Sequence, residues 1–113
     1  MMNEKWKEKF DAEILRAESA RKDGNEGMAR VCARRAAGAM VREYFQRNRI
    51  AQTKSQIAAL RNLRDLSQSP HIPEEIRVVA EHFTWQITTD HTLPENADLI
   101  ADAYWLREKL MGE

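Results

Sequence analysis

Residues 28–49 read MARVCARRAAGAMVREYFQRNR, and this stretch decides the fold. On a helix, Ala33, Ala36, Ala37 and Met40 fall on one side, a small-residue seam against which a second helix can pack closely. Arg30, Arg34, Arg35 and Arg42 occupy the other side, with Arg47 and Arg49 beyond its end. One element therefore offers a tight packing surface and a basic surface together. That combination predicts an all-α bundle more sharply than it predicts any activity.

The rest of the chain agrees. Its 113 residues suffice for one domain, 1–113, with a single core. Hydrophobic residues make up 42% and charged residues 32%, above the level of a chain too polar to fold. No apolar run approaches the roughly 20 residues of a membrane span, so no membrane partner is expected. The opening MMNEKWKEKF lacks the apolar stretch of a signal peptide. Cys32 is the only cysteine, which leaves no intramolecular disulfide and no cysteine-based metal cluster. A reducing, cytoplasmic setting is expected, with Cys32 as a small buried packing residue.

Net charge is zero, but the charges are segregated. Residues 1–29 carry net −1, residues 30–64 net +8 and residues 65–113 net −7. A middle segment so basic suits an acidic partner, nucleic acid included. Basic and acidic helices lying side by side within one molecule, or across a self-complementary dimer, would serve equally.

Prolines occur only at 70, 73 and 94, leaving long stretches without breakers. The first helix is expected over about Asn3–Lys22, with Trp6, Phe10, Ile14 and Ala17 as its apolar stripe. Asp23-Gly24-Asn25 stops it and caps the next, which runs to about Arg47 with Met28, Val31/Cys32, Ala36, Met40 and Phe45 inward. Thr53-Lys54-Ser55-Gln56 has the capping-box pattern and opens a third helix to about Leu66, with Ile57, Leu60 and Leu63 inward. A fourth begins with Pro73 in its first turn and Glu74-Glu75 at the positive end of its dipole. The last is expected from about Glu95 to Met111, with Leu99, Ala103, Leu106 and Leu110 inward.

The fourth helix is apolar on two sides. Ile76, Val79, Ala80, Phe83 and Ile87 share one sector at about 100° per residue, and Val78, His82 and Trp85 lie nearly opposite. A helix apolar on both sides is usually covered on both. Val78 and Trp85 are thus candidates for a dimer contact, with cover by a neighbouring helix of the same chain as the alternative.

Four passages together resemble the HEPN superfamily, the higher eukaryote and prokaryote nucleotide-binding domains. They are EKWKEKFDAEILRAESA, ARVCARRAAGAMVREYF, LRNLRDLSQSPHIPEEIRVVAEHF and ENADLIADAYWLREKL, nearly the whole chain in pattern. The resemblance implies an up-and-down four-helix bundle with an additional short helix, commonly a homodimer. It also implies three functions. Some relatives are metal-independent RNases using an Arg followed four to six residues later by His. Others partner a small nucleotidyltransferase in toxin–antitoxin pairs. Others bind nucleotides without cleaving anything.

Arg77-Val-Val-Ala-Glu-His82 meets the bare Arg-x4-His spacing. His82 would exchange a proton with a ribose hydroxyl or leaving oxygen, and Arg77 would stabilise the charge of the transition state. Val78, however, follows the Arg where the family usually has a polar residue. Residues five apart on a regular helix also point about 140° from each other. Only a kink or a two-fold axis would bring the pair together. Arg47-Asn48-Arg49-Ile50-Ala51-Gln52 begins like the motif but ends in Gln52, which does no acid–base work. His91, in Thr88-Thr89-Asp90-His91, has no upstream Arg, and His71 no evident partner. Three dispersed His and one Cys give no metal site, and no cofactor is expected. Arg30, Arg34, Arg42, Arg61 and Arg64 form the candidate phosphate-binding face. The function expected is therefore a non-catalytic module engaging a nucleotidyltransferase-type protein, a nucleotide or RNA phosphates. A metal-independent RNase using Arg77 and His82 at a dimer interface and a purely structural homodimer are the alternatives.

Overall fold

The computed structural model describes residues 5–48, 59–84 and 98–113. These residues form α1 (Lys5–Lys22), α2 (Glu26–Arg47), α3 (Ala59–Gln68), α4 (Glu74–His82) and α5 (Leu99–Met111), with no strand among them. The architecture is an all-α bundle.

The turn between α1 and α2 is dictated residue by residue. Gly24 takes a left-handed φ of 79°, which only glycine adopts without steric cost. The Asn25 amide then donates to Ala20 O at 2.8 Å and the Gly24 amide to Arg21 O at 3.0 Å, a Schellman closure. Asn25 next caps α2, its side chain accepting from the Met28 amide at 3.1 Å. Arg21 fastens the corner: it is bidentate on Glu26 at 3.1 and 2.8 Å and reaches Asp98, the N-cap of α5, at 3.0 Å.

Helix α2 is the axis of the bundle, packed against α1, α3 and α5, while α4 bridges α3 and α5. The stripe Trp6, Phe10, Ile14 and Ala17 is buried, as are Ala33, Ala36, Ala37 and Met40 of the seam. Because neighbours surround α2 on three sides, burial is not confined to one stripe. Arg30 and Glu43 are buried too. The closest approach is at Gly38, where an added Cβ would lie 2.4 Å from Ala59 Cβ and 2.6 Å from Ala59 Cα. Glycine is required here by proximity, with α3 occupying the space of a side chain. Buried Asn62 spans the same crossing, its Nδ2 donating to Gly38 O at 3.4 Å.

Several sequence expectations are corrected. Met28 is 46% exposed, since Ala29, fully buried, takes the inward position in the first turn of α2. Pro73 is the N-cap of α4 and not a residue of its first turn. That helix ends at His82 with Phe83 as C-cap, short of the expected Ile87. Helix α5 starts at Leu99, set by Asp98, whose side chain accepts from the Ile100 and Ala101 amides. Thr53–Gln56, Ile57, Ile87 and Glu95 lie outside the described residues.

Candidate functional site

Among the described residues, two clefts stand out whose charges are opposite. The first, about 730 Å³, lies among α1, α2 and α3. Lys5 and Lys9 on α1 face Arg34, Arg35 and Arg42 on α2 across it, with Trp6, Gly38 and Ala59 also in its lining. Among the described residues Glu43 is the one carboxylate in that lining, and it is tied to Arg47 at 3.1 Å. Lys9 is shared with buried Glu13 at 3.1 Å. Such a groove attracts phosphate or carboxylate groups through the summed field of its cations.

The five arginines expected to bind phosphate separate. Arg42, Arg61 and Arg64 are exposed. Arg34 is partly buried and donates through Nε to Phe83 O at 2.9 Å, joining α2 to the end of α4. Burial pushes its pKa below the usual guanidinium value, the cost of holding a cation away from water. Arg30 is only 8% exposed, so it belongs to the interior and not to a solvent face. Lys5, Lys9 and Arg35 line the groove but were absent from the expected set. Lys5 and Lys9 are four apart on α1, a spacing that places them on one face. The net −1 of residues 1–29 hid them.

One end of the bundle closes over Trp6. The Arg47 and Arg107 guanidinium carbons lie 5.8 and 5.5 Å from its ring centroid, and Arg107 also lies 4.9 Å from Phe10. The indole Nε1, Arg47 Nη2 and Arg107 Nε are buried there with no hydrogen-bond partner among the described residues.

His82 is half-buried at the end of α4, its Nδ1 2.9 Å from Asp102 Oδ2 on α5. Burial pushes the Asp102 carboxyl above its ordinary value, and His82 partly offsets this. Helix α4 is regular from Glu74 to His82, so it supplies no kink that would turn Arg77 toward His82. Asp102, 20 residues away, is the partner the sequence gave no sign of.

The second cleft, about 640 Å³, separates α4 from α5. Its lining is Glu74, Glu75, Val78, Val79, Ala101, Asp102 and Trp105. Val78, expected at a dimer contact, is 47% exposed on its edge. Trp85, its expected companion, lies outside the described residues, as do Arg49, Gln52 and His91.

Cys32 is buried, and burial first, then the charge of Glu13, pushes its thiol above the ordinary value. A thiol so placed stays protonated and is no nucleophile. Among the described residues no group of three or more His, Cys, Asp or Glu could hold a metal ion, and no helix is long and apolar enough to cross a membrane. Comparison with models of protein families, with curated proteins and with solved structures finds no match.

Proposed function

We propose that this chain is a non-catalytic, HEPN-like binding module that holds a phosphate-bearing ligand, a nucleotide or RNA, in the groove of α1, α2 and α3. The observation that carries this reading is the facing of Lys5 and Lys9 against Arg34, Arg35 and Arg42 around one cleft. The exposed Arg61 and Arg64 extend the cationic surface along α3. A phosphate ligand suits this groove better than a nucleotidyltransferase-type protein, because five cations border it against a single carboxylate among its described lining residues. Binding would be sequence-independent and salt-sensitive. The test is anisotropy of a labelled mixed-sequence single-stranded RNA, and of ATP, at low and moderate salt. Wild type should bind and weaken steeply with salt, and Arg35→Glu with Arg42→Glu should abolish binding. Binding that ignores both substitutions would place the ligand elsewhere.

A second reading is favoured by one observation, the 2.9 Å contact between His82 and Asp102. A carboxylate on one ring nitrogen is how a catalytic imidazole is oriented. In this reading the chain is a metal-independent RNase, Arg77 joining His82 across the two-fold axis of a homodimer. RNA cut in EDTA by wild type and left whole by His82→Ala would establish it. RNA left whole by both would remove it.

A further inference from the structure

Neither reading places a ligand in the cleft between α4 and α5, although the RNase reading uses Asp102 from its lining to orient His82. We infer that this cleft is the docking site for a cationic amphipathic helix of a different protein. Three carboxylates, Glu74, Glu75 and Asp102, border a floor of Val78, Val79 and Trp105. Two basic side chains of the same chain touch this lining: His82, whose Nδ1 lies 2.9 Å from Asp102 Oδ2, and Lys109, whose Nζ lies 5.6 Å from the Trp105 ring centroid. The Lys109 contact shows that the indole face receives an ammonium group. Val78 leaves an apolar side chain in solvent in the middle of the acidic border.

The shape selects a helix. The cleft runs between two adjacent helices, and the described residues contain no sheet edge to which an extended peptide could add. A groove between helices takes the apolar stripe of a third, anchored at positions three and four apart. The charge selects lysine and arginine beside that stripe, and excludes RNA and anionic lipid surfaces.

A second copy fits poorly in either orientation. A symmetric contact would set this cleft against itself, carboxylates toward carboxylates. A head-to-tail contact would offer the exposed Arg35, Arg42, Arg61 and Arg64. The large apolar side chains exposed among the described residues are Leu15, Met28, Val78 and Tyr104, none of them on that face between Arg35 and Arg64. The basic face therefore has charge for the cleft, but its apolar side chains, Val31 and Leu60, are partly buried within the groove and do not project to fill the floor.

The test uses three synthetic peptides of equal length against the full chain, followed by amide chemical shifts and calorimetry. One peptide is an amphipathic helix of leucine and lysine, the second replaces its leucines with serine, and the third replaces its lysines with glutamate. The leucine–lysine peptide should bind and shift amides of α4 and α5. The serine and glutamate versions should bind at least about tenfold more weakly, and so should the leucine–lysine peptide to Glu74→Lys/Glu75→Lys and to Val78→Ser. Both variants alter exposed positions, and unchanged spectra away from the cleft report that they fold. The inference is overturned by equal binding of the serine peptide, by shifts confined to other helices, or by no binding. Self-association that Glu74→Lys/Glu75→Lys abolishes would overturn it in favour of a second copy.

Discussion

The two clefts are of similar size, about 730 and 640 Å³, yet they differ in both charge and texture. The groove of α1, α2 and α3 is built from long cationic side chains around a close helix crossing. The cleft of α4 and α5 has short carboxylates around a valine and tryptophan floor. A chain with zero net charge thus carries one basic cleft and one acidic cleft. The average concealed both, and segment-by-segment charge exposed them.

The largest effect should come from Gly38→Ala, which attacks the basic groove through its packing. The new Cβ would meet the backbone of Ala59, which cannot swing aside as a side chain would. A loss of about 3 kcal/mol in thermal or urea unfolding is expected. An unchanged midpoint would mean that α3 is free to move off α2, and that the groove is not a fixed shape. Next is Arg35→Glu with Arg42→Glu, which should abolish RNA binding at moderate salt.

The acidic side is sharpened by two carboxylates at the start of α5 that titrate in opposite senses. Burial pushes Asp98 up, but the Ala101 amide, Arg21 and the Ile100 amide outweigh it and hold the carboxyl below its ordinary value. Its contribution is present above the ordinary carboxylate pKa and lost as pH falls through the lowered one. Asp98→Ala should cost about 1 kcal/mol at neutral pH, as N-cap removal does, with the difference shrinking in acid. Asp102 runs the other way. With its pKa raised by burial, the folded state holds the proton more tightly, so its stabilising contribution is full below the ordinary value and lost as pH rises through the raised one. Asp102→Asn, whose amide oxygen can still accept from His82, should remove that decline from denaturation midpoints measured across the acid range. Identical pH curves for variant and wild type would contradict the assignment. The smallest effect belongs to Val78→Ser, within about 0.5 kcal/mol in stability because the side chain is already exposed. Its consequence should be seen only in peptide binding.

Much of the fold was legible because its signals are local. The stripe of α1, the Gly24 turn, the Asn25 cap and the alanine seam follow from spacing and backbone chemistry within a few residues. Periodicity failed on α2, where neighbours on three sides bury Arg30 and Glu43 along with the seam. The sites were legible only by half. The basic charge of residues 30–64 pointed to the groove, but the lysines that complete it come from α1, in a segment of nearly balanced charge. The contact of His82 with Asp102 had no trace in the sequence, because helix packing and not spacing brings residues 20 apart together.

The most direct test of two clefts with two classes of ligand is one salt titration of RNA binding, run in EDTA. It compares wild type, Arg35→Glu/Arg42→Glu and Glu74→Lys/Glu75→Lys. Wild type and the α4 variant should bind uncut RNA with the same affinity at moderate salt, and the α2 variant should not bind. Loss of RNA binding in the α4 variant, or its retention in the α2 variant, would contradict the division of the surface.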